Sequence, residues 1–374
     1  MAKTGKGAAE PPTTQRRPAR RLWGRASEES RTAGHDRPHR RPPLPVAWWL
    51  GLLAVTGCAS AMQPMGPAQR APALIDGFVI AADGYFLPLR LWRPEGGGAE
   101  KAVIVALHGF NDYSNAFATV GPAFAAAGVV TYAYDQRGFG ATQRRGVWPG
   151  SATMVTDLVT VVGLVRERHP GLPLYLLGES MGGAVVMTAL AAPPVPGSPL
   201  AGVAGAILVA PAVWGRETMG AVPRAALWLT NALVPGFAMT APRELKIRPS
   251  DNVDMLKGLA RDPLVIKATR ADTIHGLVGL MGEALAAAPR FRTPGLVLYG
   301  VHEQVLPYAA IGRLLTTLPQ GRQRVAIYRD GWHMLLRDRH GGVPIADILA
   351  WLSNPVAMLP SGADQVSRAR IFER

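Results

Sequence analysis

At 374 residues the chain has room for one large domain or two modest ones, and 48% apolar against 18% charged residues is a globular composition rather than a disordered one. The formal net charge of +14 suggests an anionic partner, but eleven Lys and Arg against four acids within residues 1–58 put half of that excess in one N-terminal stretch. No aromatic-interleaved basic stripe or zinc-finger spacing accompanies it, which argues against nucleic acid, and a single cysteine excludes an intrachain disulfide framework.

In chain order, a Pro-, Arg- and Ser-rich extension ends at Arg40-Arg41, and the apolar run Pro45–Gly57 follows, short for a bilayer span. The run closes on Val55-Thr56-Gly57-Cys58, which resembles a bacterial lipobox. That resemblance implies a signal peptide over residues 1–58 and a diacylglyceryl group on the Cys58 thiol. Cleavage then leaves the cysteine first, and the partner is a membrane surface reached through the anchor. Ala59, where inner-membrane lipoproteins carry Asp, implies the outer membrane of a bacterial envelope, facing the periplasm. The alternative is a signal-anchor helix with an incidental cysteine. The basic extension exceeds what a signal peptide needs and reads as an overextended start or a disordered tail. Arg20-Arg21 stands too far from the apolar run to weigh as a twin-arginine signal.

Residues 59–73 read as a Pro/Gln/Ala-rich tether. Phe78–Ala81 and Tyr85–Trp92, around Asp83-Gly84, predict an antiparallel hairpin. Strands are then expected at Lys101–Leu107, Val129–Tyr134, Pro173–Leu177, Gly205–Ala210, Gly295–Tyr299 and Arg324–Tyr328. Helices are expected at Ala116–Ala127, at Ala152–Arg168 opened by Ser151, and from Met181. Short continuous apolar strands joined by helices predict an α/β domain over residues 74–353, with a mostly parallel sheet and helices on both faces. From about 213 to 288 that rhythm stops, and helical stretches such as Val222–Leu233 and Val253–Leu259 with four prolines read as a helical cap insertion. Residues 354–374 read as a C-terminal tail.

Gly178-Glu179-Ser180-Met181-Gly182 is a G-x-S-x-G between a strand and a helix, the setting of the nucleophile elbow of α/β-hydrolases. The sharp turn lifts the Ser180 hydroxyl clear, and the helix N-terminus favours developing negative charge. A serine needs a base, which in this fold lies C-terminal to the acid. Among His275, His302, His333 and His340, His333 stands just after the last predicted strand, at the sheet edge where Ser180 is expected. The acid should follow the preceding strand, where Glu303 is the only carboxylate of Gly300–Pro307; Asp330, three residues before His333, is the rival. The oxyanion donors are expected to be the N–H groups of Met181 and Phe110, the latter in His108-Gly109-Phe110-Asn111. His108 itself reads as structural. No metal or organic cofactor is called for.

Leu107-His-Gly-Phe110, Tyr134-Asp-Gln-Arg-Gly-Phe-Gly140, Gly178–Gly183, the Gly300–Pro307 loop and the His333 segment together resemble the monoacylglycerol lipase and lysophospholipase branch of the α/β-hydrolases, over about residues 75–352. The resemblance implies an ester hydrolase acting through Ser180, His333 and Glu303 by way of an acyl-enzyme, on acyl glycerols, lysophospholipids or similar small amphiphilic esters. It also implies that Asp135–Gly140 is a structural turn and that the apolar cap segment Trp214–Met239 covers an acyl pocket, although a core-packing helix gives the same pattern. The family usually has Asp where Glu303 stands. A short-chain carboxylesterase, a thioesterase, an acyltransferase and a non-catalytic lipoprotein binding module on the same fold are the competing readings.

Overall fold

The computed structural model describes residues 60–193, 195–240 and 246–369, so the basic extension, the apolar run and Cys58 lie outside the described residues. In chain order the elements are β1 (Ala73–Ile75), β2 (Phe78–Ile80), β3 (Phe86–Trp92), β4 (Ala102–Leu107), α1 (Val120–Ala126), β5 (Val129–Tyr134), α2 (Ser151–Arg168), β6 (Leu174–Glu179), α3 (Met181–Leu190) and β7 (Gly205–Val209). There follow α4 (Ala221–Leu233), β8 (Ala238–Met239), α5 (Val253–Arg261), β9 (Thr269–Arg270), α6 (Ala271–Ala287), β10 (Gly295–Gly300), α7 (Tyr308–Thr317), β11 (Gln323–Tyr328) and α8 (Gly342–Ser353).

Nine strands form one sheet in the order β1-β2-β3-β5-β4-β6-β7-β10-β11. β1, β2 and β3 are an antiparallel meander, β3 meets β5 antiparallel, and every later pairing is parallel. The reason is visible in β4, where all six residues are buried. Val103, Val105 and Leu107 enter one apolar layer, whereas Ala102, Ile104 and Ala106 enter the other. A strand with no polar face must be covered on both sides. Leu158 and Val161 of α2, Val185 of α3 and Leu280 of α6 cover the first side; Phe124 of α1 and Ile348 and Trp351 of α8 cover the second.

The architecture matches the sequence expectation, and the differences lie at its margins. The first meander gains β1. Gly150, not a serine, precedes α2 without a side-chain cap, and Ser151 is the first helical residue. The expected cap of 213–288 is too long: α6 carries buried Val278, Leu280, Met281, Ala284 and Leu285 and packs into the core, so the insertion ends at β9. α7 and α8 were not anticipated, although both bury an apolar face, Ile311 and Leu314 on α7 and Ile345, Ile348 and Trp351 on α8. The segment read as a tether is instead fastened. Ala61 N–H donates to Asp272 Oδ2 (3.0 Å), Met65 N–H to Thr153 Oγ1 (3.1 Å), and the Gln63 amide to Val147 O (2.6 Å). The C-terminal tail is also held as far as it is described, with Leu359 and Ala363 buried and Asp364 paired to Arg324 at 3.0 Å.

Candidate active site

β6 runs into α3 through Ser180, whose backbone sits at φ +52° and ψ −114°, a strained conformation for a residue with a side chain. The turn is held by Ser180 N–H donating to Val209 O (2.9 Å) and by Ala212 N–H donating to Ser180 O (3.0 Å). Gly182 is required for close approach: a Cβ there would stand 2.2 Å from Leu107 O. These constraints leave the serine hydroxyl half-exposed at the C-terminal edge of the sheet.

The loops after β10 and β11 bring the other two groups to it. They touch at Gly300, where a Cβ would lie 2.1 Å from Gly331 O, and His302 N–H donates to Gly331 O (2.9 Å). Ser180 Oγ lies 3.0 Å from His333 Nε2, and His333 Nδ1 lies 2.7 Å from Glu303 Oε2. Because the carboxylate only accepts, Nδ1 carries the proton and Nε2 faces the serine as acceptor. The other oxygen, Glu303 Oε1, accepts from Val305 N–H (2.6 Å) and Leu306 N–H (3.0 Å). Burial alone would raise the Glu303 carboxyl, but His333 and those two donors outweigh it and hold it below the usual range. Burial alone would lower His333, yet the adjacent Glu303 charge and hydrogen bond raise it above the ordinary imidazole value. Asp330, the rival acid, is exposed, and the ring proton of His333 goes to Glu303. His275 pairs with Arg216, His302 stacks on Trp332 with ring centres 5.0 Å apart, and His340 is exposed.

Met181 follows Ser180 directly, and Phe110 lies on the loop after β4. Gly109 Cα carries no side chain, and a Cβ there would lie 3.4 Å from Ser180 Cβ, so the β4 loop passes close to the nucleophile. Met181 is the first residue of α3 and has no carbonyl four residues earlier within the helix, and Phe110 N–H donates no hydrogen bond among the described residues. His108 sets this loop without touching Ser180. Its Nε2 accepts from Gln136 N–H (3.0 Å), its Nδ1–H donates to Gly109 O (2.8 Å), and burial pushes its pKa down so that it stays neutral. Asn111, at φ +65°, ties the same loop to the cap: Nδ2 donates to Thr269 Oγ1 (2.8 Å) and its carbonyl accepts from Ile266 N–H (2.9 Å). The Asp135–Gly140 turn is structural. Asp135 accepts from Ser114 and Ala141 N–H, while buried Arg137 pairs with Asp157 (3.0 Å) and Asp83 (2.8 Å).

Two buried networks beside the site escaped the sequence reading. Arg337 bonds Asp112 Oδ2 and Glu179 Oε1, each at 2.7 Å. Asp338 accepts from Ser250 Oγ (2.6 Å) and from Trp332 N–H (2.8 Å), next to His333, and burial pushes its pKa up to about 6. Glu179 carried a usable signal, since a carboxylate within a fully buried strand needs a partner. Nothing in the sequence named Arg337 as that partner.

A strained serine elbow, an imidazole on its hydroxyl and a carboxylate behind the imidazole, on a mostly parallel sheet, define the α/β-hydrolase class of serine hydrolases. Comparison with known proteins agrees. The family described as Hydrolase_4, serine aminopeptidase, S33, matches residues 98–340, and the chain belongs to it. It is 27% identical over 274 residues to the monoacylglycerol lipase of Mycolicibacterium smegmatis, covering 70% of this chain and 91% of that one. It is 26% identical over 303 residues to the monoglyceride lipase of Rattus norvegicus, covering 78% and 93%. Among solved structures, a soluble variant of the Saccharomyces cerevisiae monoglyceride lipase with a substrate analogue superposes with a TM-score of 0.62 at 19% identity, covering 78% of this chain and 98% of that one.

Proposed function

We propose that the chain hydrolyses carboxylic esters of single-chain amphiphiles, monoacylglycerols foremost, with Ser180 as nucleophile. The observation that carries this is the alignment of Ser180 Oγ, His333 and Glu303 at 3.0 and 2.7 Å. His333 Nε2 takes the hydroxyl proton as Oγ attacks the ester carbonyl, and Glu303 stabilises the imidazolium so formed. Collapse of the tetrahedral adduct breaks the ester C–O bond, and His333 returns the proton to the departing alcohol. Water, activated by the same imidazole, then releases the fatty acid from Ser180. Phe110 and Met181 N–H groups serve the oxyanion; one such donor contributes about 3 kcal/mol in the transition state. The substrate class rests on the monoacylglycerol lipase relatives and on a cap whose Trp228, Leu229, Leu233 and Phe237 are exposed. Turnover of monoacylglycerols by the purified protein, rising from short to long acyl chains and abolished in Ser180→Ala, is the expected result. A preference for acetate esters would point to a short-chain carboxylesterase, and selective cleavage of aminoacyl anilides to the peptidase activity in the family's name.

We also propose that Cys58 is diacylated and that the protein sits on the bacterial envelope, at the outer membrane, with its cap toward lipid. Cys58 precedes Ala61 by three residues, a reach of at most about 11 Å. Ala61 N–H bonds Asp272, whose own N–H donates to Pro235 O (3.0 Å), while Ala271 N–H donates to Phe237 O (2.9 Å). The chain therefore enters beside the exposed apolar cap, which supports an anchor and a lipid-facing surface on one side. Globomycin-sensitive processing and recovery with membranes are expected, both lost in Cys58→Ser; an unchanged membrane fraction in that variant would refute the anchor.

A further inference from the structure

We propose that Arg337 is a positioning residue that holds three of the four catalytic loops, those after β4, β6 and β11, in mutual register through a buried carboxylate–guanidinium–carboxylate cluster. This rests on the catalytic reading of Ser180 and His333 given above. Each end of the cluster belongs to a different loop of the site. Asp112 stands two residues after Phe110, Glu179 immediately before Ser180, and Arg337 four residues after His333. One guanidinium thus joins the ends of β4, β6 and β11, by Nη1 to Asp112 Oδ2 and by Nη2 to Glu179 Oε1, both at 2.7 Å. The side chains are 2–7% exposed. Arg337 also carries the cap's influence inward, because its carbonyl accepts from Asn252 Nδ2 (3.0 Å), and Asn252 caps α5.

Stability alone is a poor account of this cluster. Removing three ionised groups from water is costly, and apolar replacement of such sets is often neutral or stabilising. The contacts are also single: among the described residues, Glu179 Oε2 and Arg337 Nε are buried without partners. A guanidinium seeking the strongest pairing would bind one carboxylate through two parallel bonds. Arg337 instead divides its fork between two loops, which spends pairing strength on a bridge. The cluster holds one more negative than positive charge beside His333. Glu179 favours the imidazolium and Arg337 opposes it, so the cluster also bears on when His333 is a free base.

The test uses the purified full-length protein with a soluble p-nitrophenyl ester, reading kcat, KM, melting temperature and the pH profile of kcat/KM. Glu179→Gln keeps the shape and the acceptor for Arg337 but removes a charge, so the acid limb should move to lower pH. Arg337→Lys keeps charge but loses the fork, and kcat is expected to fall about tenfold with KM little changed. The neutral triple variant Asp112→Asn, Glu179→Gln, Arg337→Met should melt near the parent, while kcat falls on the order of a hundredfold. A triple variant that melts and turns over like the parent overturns the proposal. Should the triple variant not fold, parent-like kcat in Arg337→Lys and an unmoved acid limb in Glu179→Gln overturn it equally. Ser180→Ala separates the two readings: retained activity there refutes the nucleophile, whereas parent-like Arg337 variants refute only the positioning role.

Discussion

Glu303 is one methylene longer than the aspartate that the family resemblance implies at its position, and its loop shows how the extra length is absorbed. The carboxylate turns back so that Oε1 caps Val305 and Leu306 N–H while Oε2 meets His333, and Tyr308 OH braces the Glu303 carbonyl at 2.7 Å. Shortening the side chain must sacrifice one of those two engagements. Glu303→Asp is expected to lose about tenfold in kcat, and Glu303→Gln about 10³- to 10⁴-fold, because the amide no longer holds the productive tautomer. Asp330→Asn should leave kcat close to the parent; collapse in that variant instead would reassign the acid. The pH dependence has a definite sign. His333 must be unprotonated to accept the Ser180 proton, and Glu303 raises its pKa above the ordinary imidazole value, so kcat/KM falls as pH drops through a midpoint higher than that of an ordinary imidazole. Glu303→Gln removes the charge that raises it, and the midpoint should move down. The meeting of Ser180 and His333 was legible in the sequence because motif and chain order locate them. Arg337 and Asp338 were not, since their roles arise only when loops distant in sequence converge on one spot.

The elbow between β6 and α3 works because α3 packs directly against the end of β4. Gly182 makes that approach possible, and Gly182→Ala would press a methyl group against Leu107 O. Overpacking of this kind typically costs 1–3 kcal/mol, so a lower melting temperature and a loss of about a hundredfold in kcat are expected together. Gly279 on α6 is the control, with nothing within 4 Å of an added Cβ. Gly279→Ala should keep kcat and raise stability by up to about 1 kcal/mol. Calorimetry alongside kinetics reads both. The inner strands could be placed from sequence because a strand buried on both faces must be continuously apolar. α6 was misassigned to the cap because a helix covering the sheet and a helix in an insertion share the same amphipathic period; only the packing of Leu280 and Ala284 into the core tells them apart.

For the whole molecule, sheet, cap and N-terminal strap converge on one end. The catalytic loops follow β4, β6, β10 and β11, the cap is tied to the oxyanion loop through Asn111, and residues 61–66 fasten beside the cap at Asp272 and across to Thr153 and Asp83. Composition hid the strap, since a stretch rich in Pro, Gln and Ala shows no apolar period, and its order comes from hydrogen bonds to Asp272, Thr153 and Asp83 side chains and to the Val147 and Trp148 carbonyls. The proposed function unites these features in covalent turnover at Ser180. The most direct measurement is intact-mass spectrometry of the protein quenched during turnover of a long-chain ester, with peptide mapping of the adduct. One acyl group per chain on the peptide containing Ser180, absent from Ser180→Ala and accumulating in Glu303→Gln when deacylation is slowed, is the predicted result. Ester turnover with no adduct on Ser180, or full activity in Ser180→Ala, would contradict it.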